Sequence, residues 1–201
     1  MEKTNMDPTH ADIVRCPQCR AGNRVPAEKN GSPAAKCGRC GARLFPAPAE
    51  PPPEAVYKVR CAGCGAKNRV PAGRLDGSPL CGKCKQPLPT RDLLSPVPVF
   101  VTDDNFEDKV LKSPLPVLLF AWAPWCPSCS AVTPTIEQFA RESAGRVRVG
   151  KVNIDTSKGL ADRFSIMSVP FLYVFDNGEL KESMPGGMQK HELMLKMARY
   201  L

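Results

Sequence analysis

The sequence predicts an α/β domain, a mixed central sheet flanked by helices, preceded by two small modules held together by cysteines. Three observations carry this expectation. Ten cysteines fall into five Cys-x-x-Cys pairs with none left over, and eight of them lie in the first half of the 201-residue chain. The stretch Asn23-Arg24-Val25-Pro26-Ala27 recurs 45 residues later as Asn68-Arg69-Val70-Pro71-Ala72. From residue 99 onward, apolar strand-like runs alternate with helix-like ones.

The first four pairs are Cys16/Cys19, Cys37/Cys40, Cys61/Cys64 and Cys81/Cys84, with 17 residues inside the first couple of pairs and 16 inside the second. Both spacings fit a structural zinc ribbon. Two intervening residues let a tight turn, a knuckle, aim both sulfurs at one ion, and two knuckles complete a tetrahedron with sulfurs about 2.3 Å from zinc. Pro17, Gly38 and Gly82 follow first cysteines, Gly63 lies between Cys61 and Cys64, and Gly41 and Gly65 follow second cysteines, residues suited to such turns. The repeat sets the pairing, because each copy starts just after a first knuckle and a Gly-Ser-Pro precedes each second one, at Gly31 and Gly77. Pairing Cys37/Cys40 with Cys61/Cys64 would force residues 46–53, five of them Pro, into a compact loop, and is rejected. The expected layout is a ribbon at 12–45, a Pro-rich extended linker at 46–56, a second ribbon at 57–88 and a linker at 89–98.

Each ribbon is too small for a sufficient apolar core, so two structural zinc ions, four cysteines each, would supply the folding energy. Four sulfur ligands leave no open position for catalysis, and iron could replace zinc in such a set. His10 and His191 lie outside the motifs and read as surface residues. Residues 1–98 carry 16 Lys/Arg against 8 Asp/Glu, so the whole net charge of +8 sits there; two four-thiolate zinc sites would cut it to about +4. The basic ribbons suit an anionic partner, but only Phe45 and Tyr57 offer aromatic rings there, which argues against nucleic acid.

In the second half, 99–101 reads as a short strand and Thr102 or Asp103 as the cap of a helix to about 112. A continuous apolar run at 116–122 is a central strand buried on both faces. A helix over 126–143 contains Pro134, a strand follows at 147–153 and a short helix at 158–164. Strands at 171–175 and 179–183 flank Asp176-Asn177-Gly178, a hairpin turn, and an amphipathic helix closes at 189–201.

The fifth pair sits where a strand hands over to a helix, in Trp122-Ala123-Pro124-Trp125-Cys126-Pro127-Ser128-Cys129. A helix N-terminus stabilises a thiolate, so Cys126 is expected to be the exposed nucleophile and Cys129, one turn later and beneath it, the resolving thiol. A third metal knuckle lacks a partner pair in this domain.

On these residues the domain at 99–201 resembles a thioredoxin, and the whole resembles the zinc-ribbon-containing second thioredoxin of bacteria, which carries one N-terminal ribbon. The matching pieces are Trp122-Ala123-Pro124-Trp125-Cys126-x-x-Cys129, Pro134, Lys151-Val152-Asn153-Ile154-Asp155, Ser168-Val169-Pro170, Asp176-Asn177-Gly178 and Gly186. The resemblance implies a cis Val169–Pro170 peptide beside the dithiol. It also implies a substrate groove made by Trp125, Pro127, Ser128, Val169, Pro170 and Gly186. It further implies a cytoplasmic protein-disulfide reductase, acting on disulfide-containing protein substrates and recharged by a thioredoxin-reductase-type electron donor.

Three departures qualify that likeness. There are two ribbons instead of one, Pro127-Ser128 stands in place of the usual Gly-Pro, and Phe120 occupies the position of a buried Asp that usually neighbours Lys151 and moves the proton of the resolving cysteine. The Ser128 N–H and hydroxyl can both stabilise a thiolate, which predicts a less reducing couple. A second functional class is a zinc-thiolate redox sensor, holding chaperone or nucleic-acid or protein adaptor in which the ribbons carry the function. The polar first eight residues lack the apolar core of a secretion signal, and the apolar run at 116–125 is too short to span a bilayer, so no membrane association is expected.

Overall fold

The computed structural model describes residues 11–26, 29, 32, 34–45, 55–90 and 92–200. Of the expected linker at 46–56, residues 46–54 lie outside the described residues, as does the polar N-terminus with His10 at 1–10, while Val56 already belongs to the first strand of the second ribbon. The first ribbon packs within a unit of its own, Met1–Ala47, whereas the second ribbon shares a unit, Pro48–Leu201, with the α/β domain.

Both ribbons are built alike. In the first, β1 (Ala11–Arg15) pairs antiparallel with β2 (Gly22–Pro26), and a bridge between Lys36 and Arg43 closes the second knuckle. In the second, β3 (Val56–Arg60) pairs with β4 (Lys67–Pro71), and the equivalent bridge joins Leu80 and Pro87. The repeat has a packing reason: Val25 and Val70 are the equivalent valines of the two copies, each 3% exposed.

The α/β domain follows the expected element order. Its strands are β5 (Val99–Val101), β6 (Val117–Trp122), β7 (Arg148–Asn153), β8 (Phe171–Asp176) and β9 (Glu179–Pro185). They form one sheet in the order β5-β7-β6-β8-β9, with β5, β7 and β6 parallel and β8 and β9 antiparallel. The helices are α1 (Pro127–Glu142), α2 (Lys158–Arg163) and α3 (Lys190–Ala198). Alternation along β6 supplies both cores. Leu118 and Phe120 pack with Ile136, Phe139, Leu193 and Met197 of α1 and α3; Val117, Leu119 and Ala121 pack with Phe106, Val110 and Leu160 on the other face. Every residue of β6 except Trp122 is buried, as a central strand requires.

One local expectation is revised. In place of a regular helix capped at Thr102 or Asp103, the chain makes turns and then a π-helical segment, Glu107–Leu111. The Asp103 carboxylate is used elsewhere: it accepts hydrogen bonds from the N–H groups of Leu160 (2.8 Å) and Gly159 (3.2 Å), at the start of α2. A capping residue satisfies whichever free helix N–H groups lie nearest, and here the tertiary neighbour wins.

The second ribbon is fastened to the sheet at the N-terminal end of β6. Its Val59, Val70, Leu75 and Leu88 form one apolar cluster with Leu93 and Leu115. The Arg60 N–H donates to the Pro114 carbonyl (2.9 Å), and the Gly145 N–H to the Leu93 carbonyl (2.8 Å). Gly145 has φ +77°, and a Cβ there would meet the Tyr57 ring, so glycine alone permits this approach.

Candidate functional sites

The four knuckles share one turn. In each, the N–H of the residue after the second cysteine donates to the carbonyl of the first: Arg20 to Cys16 (2.9 Å), Gly41 to Cys37 (2.9 Å), Gly65 to Cys61 (2.8 Å) and Lys85 to Cys81 (3.0 Å). That residue has positive φ in all four, 60° at Arg20, 72° at Gly41, 68° at Gly65 and 63° at Lys85. Two of the four are glycine, which adopts the left-handed region without penalty; Arg20 and Lys85 pay about 1 kcal/mol or more for the same turn.

The sulfurs come together as the repeat register predicts, Cys16, Cys19, Cys37 and Cys40 in one cluster and Cys61, Cys64, Cys81 and Cys84 in the other, all within 4.8 Å of one another in each. Cys16 and Cys40 sulfurs are 3.6 Å apart, Cys19 and Cys37 3.6 Å, Cys61 and Cys84 3.5 Å, Cys64 and Cys81 3.7 Å. A tetrahedron with sulfurs about 2.3 Å from zinc has edges of about 3.8 Å, so both sets fit that ion. Backbone N–H groups favour the thiolate at the first cysteine of each second knuckle. Those of Cys40 and, next, Arg39 lower the Cys37 thiol to about 6, and those of Cys84 and Lys83 lower Cys81 to about 6.

The repeat hides a further role, at its asparagine. Asn23 Oδ1 accepts from the Gly38 N–H (2.9 Å) while its Nδ2 donates to the Ala21 carbonyl (2.8 Å). Asn68 does the same with Gly82 (2.9 Å) and Ala66 (2.9 Å), and its Nδ2 also lies 3.6 Å from the Cys81 sulfur. Each asparagine thus clasps one knuckle to the other. Sequence reasoning used this residue only as a repeat marker; its exact recurrence at the same offset from the cysteines was the available signal.

The fifth pair lies at the opposite end of β6 from the ribbon attachment. Cys126 is the N-cap of α1 and forms a disulfide with Cys129, their Cα atoms 5.3 Å apart. The Cys129 N–H donates to the Cys126 sulfur (3.1 Å), the Ser128 hydroxyl lies 3.3 Å from it, and the Val169 carbonyl oxygen 3.6 Å. The expectation of an exposed Cys126 needs revision: the residue is 3% exposed and Cys129 1%. The Val169 carbonyl lies against the sulfur, and both cysteines are almost wholly buried.

The surroundings place the remaining expected residues. Val169–Pro170 is cis. The buried Gly186 donates its N–H to the Pro170 carbonyl (3.0 Å), and a Cβ there would sit 2.6 Å from Pro170 Cβ, so glycine is required behind this loop. Trp125 is 65% exposed, with its indole N–H donating to Asp155 (3.1 Å). Phe120 is fully buried and belongs to the same apolar cluster as Cys126 and Cys129. Lys151, opposite it on β7, has its ammonium 4.8 Å above the Trp122 ring. The structure adds Met167, 91% exposed, two residues before Val169.

In comparison with known proteins, residues 97–199 match the family described as thioredoxin, and residues 60–86 match the family described as the N-terminal region of thioredoxin 2. The chain is 43% identical over 94 residues to a thioredoxin of Rickettsia bellii, covering 47% of this chain and 90% of that one. A thioredoxin of Acidithiobacillus ferridurans is 40% identical over 95 residues, covering 47% of this chain and 88% of its own length. Over 101 residues the chain is 39% identical to the chloroplastic M-type thioredoxin of Spinacia oleracea, 50% of this chain and 56% of the spinach one.

Proposed function

The chain belongs to the thioredoxin family, and from that premise we propose that it reduces protein disulfides through the Cys126/Cys129 dithiol. The observation that supports this best is the Cys126 sulfur at the start of α1, 3.1 Å from the Cys129 N–H and 3.6 Å from the Val169 carbonyl. A helix N-terminus stabilises the thiolate, and an extended backbone beside Val169 can bring a substrate cystine to it.

The Cys126 thiolate attacks one sulfur of the substrate disulfide, forming a mixed disulfide and expelling one substrate thiolate, which takes a proton. Cys129 then gives up its proton and attacks the Cys126 sulfur. The mixed disulfide breaks, the second substrate thiolate leaves, and the Cys126–Cys129 disulfide remains. Two electrons have passed to the substrate, and each substrate thiolate takes a proton from water, matching the two protons that Cys126 and Cys129 have released to it. With Phe120, which cannot take a proton, in the buried position, the proton of Cys129 leaves through water or another route. Trp125, Pro127, Ser128, Val169, Pro170 and Gly186 form the groove that receives the substrate. A reductase of the thioredoxin-reductase type restores the dithiol. Each ribbon holds one structural zinc on its four cysteines and takes no part in the electron transfer.

Cys126→Ser abolishes reduction of insulin disulfides, while Cys129→Ser accumulates a substrate mixed disulfide on Cys126. Unchanged turnover in Cys126→Ser would overturn the reading.

A further inference from the structure

The hairpin of the second ribbon carries an unfavourable charge pattern. In the β3–β4 register, Lys58 faces Arg69 and Arg60 faces Lys67, so two consecutive cross-strand pairs oppose cation to cation on one face. Like charges directly opposite each other destabilise an antiparallel pair. Arg60 is relieved by Asp176, 2.8 Å away. Lys58 and Lys67 have no ion-pair partner among the described residues, and both are exposed. The same lysines line a groove of about 240 Å³ between the ribbon and the α/β domain, together with Arg60 and Arg146. Its remaining walls are apolar or aromatic, chiefly Tyr57, Tyr200, Pro114 and Pro116, and no acidic residue lines it. It lies at the end of the sheet away from the dithiol.

We propose that this groove binds a small organic phosphate, with its phosphoryl group between Lys58, Lys67 and Arg146 and its apolar body against the tyrosines and prolines. Charge chooses the ligand class. Four cations less the Asp176 that pairs with Arg60 leave an excess suited to a dianion, and a phosphate monoester carries about −1.5 to −2 near neutrality. Size limits it: the space is below the roughly 300–1,000 Å³ of sites for drug-sized ligands, so a single compact phosphate ester fits and a long chain does not. The repulsion between facing cations is what the bound phosphate relieves. Neither the ribbon nor the α/β domain makes the groove alone, which gives the second ribbon a function beyond its own folding.

The test uses the full zinc-loaded chain at low ionic strength, titrated calorimetrically with AMP, inorganic phosphate and adenosine as probes. Saturable AMP binding, weaker phosphate binding and no adenosine binding are expected. Replacing both lysines (Lys58→Gln with Lys67→Gln) should weaken AMP about tenfold or more, whereas Arg74→Gln with Lys158→Gln, at exposed positions outside the groove, should leave it unchanged. A second measurement needs no ligand: Lys67→Gln should raise the thermal midpoint at low salt, because it removes a facing cation. Absence of AMP binding, AMP binding that survives the double substitution, or a lowered midpoint in Lys67→Gln would each overturn the proposal. Loss of insulin reduction would bear only on the dithiol, so the two readings fail separately.

Discussion

The Arg60 guanidinium of the second ribbon meets the Asp176 carboxylate at the end of β8 at 2.8 Å, each side chain 18% exposed, across 116 residues of sequence. It is the ionic link that complements the apolar cluster joining ribbon and sheet. Partial burial places it between an exposed pair, worth little, and a buried one, costly to break.

Asp176→Asn should therefore lower the stability of this unit by about 1–2 kcal/mol, with weak salt dependence. Denaturant unfolding at two salt concentrations checks this. A change below a few tenths of a kcal/mol would leave the fastening to the apolar cluster and the Arg60–Pro114 backbone hydrogen bond.

Metal removal should reach beyond the ribbon. Chelation of zinc, or Cys61→Ser with Cys64→Ser, dismantles the knuckles that hold Val59, Val70 and Leu88 against Leu93 and Leu115. The calorimetric midpoint of the α/β domain should fall. An unchanged midpoint would show that the sheet needs no cover at this end.

Ser128 should tune the dithiol. Its hydroxyl lies 3.3 Å from the Cys126 sulfur, and a hydrogen bond that stabilises the thiolate makes the disulfide more oxidising. Ser128→Ala should shift the couple toward reducing by about 30 mV, which is about 1.4 kcal/mol for two electrons. Equilibration of both proteins against a glutathione series, with zinc retained, gives the difference. The native couple is expected to lie above the roughly −270 mV of ordinary thioredoxin and toward the −180 mV or so of the isomerases.

Glu182 anchors the chain's last turn. It accepts from the Tyr200 hydroxyl (2.7 Å) and pairs with Arg199 (3.0 Å) and Lys196 (3.3 Å); chiefly the tyrosine bond, then Lys196, holds its carboxyl below the usual 4.5. A carboxylate depressed in the folded state contributes stability that is present above its unfolded value and lost as pH falls through the folded one. Glu182→Gln should be less stable than the native chain near neutrality, and the gap should close below pH 4.5. A gap independent of pH would assign the effect to packing.

The left-handed turn residues offer an opposite change. Lys85 at φ 63° occupies the place that Gly41 and Gly65 hold in sister knuckles. Lys85→Gly should stabilise the zinc-loaded protein by up to about 1 kcal/mol, read from its thermal midpoint.

What the sequence by itself determined was everything set by short spacing. Two residues between cysteines dictate a knuckle, the repeat dictates which knuckles share an ion, and a wholly apolar run dictates a central strand. A Cys-x-x-Cys after that strand puts a sulfur at a helix N-terminus. These features follow from local geometry, so adjacent residues suffice to read them. Only the tertiary structure decided the rest. It sent Asp103 to α2 rather than to its own segment, brought Arg60 to Asp176, laid the Val169 carbonyl against the Cys126 sulfur and set Lys58 and Lys67 on a groove with Arg146. Each of these joins residues tens of positions apart, and their meeting depends on how the ribbon and sheet bury their apolar faces together. No local pattern encodes that distance, because burial is a property of the whole unit.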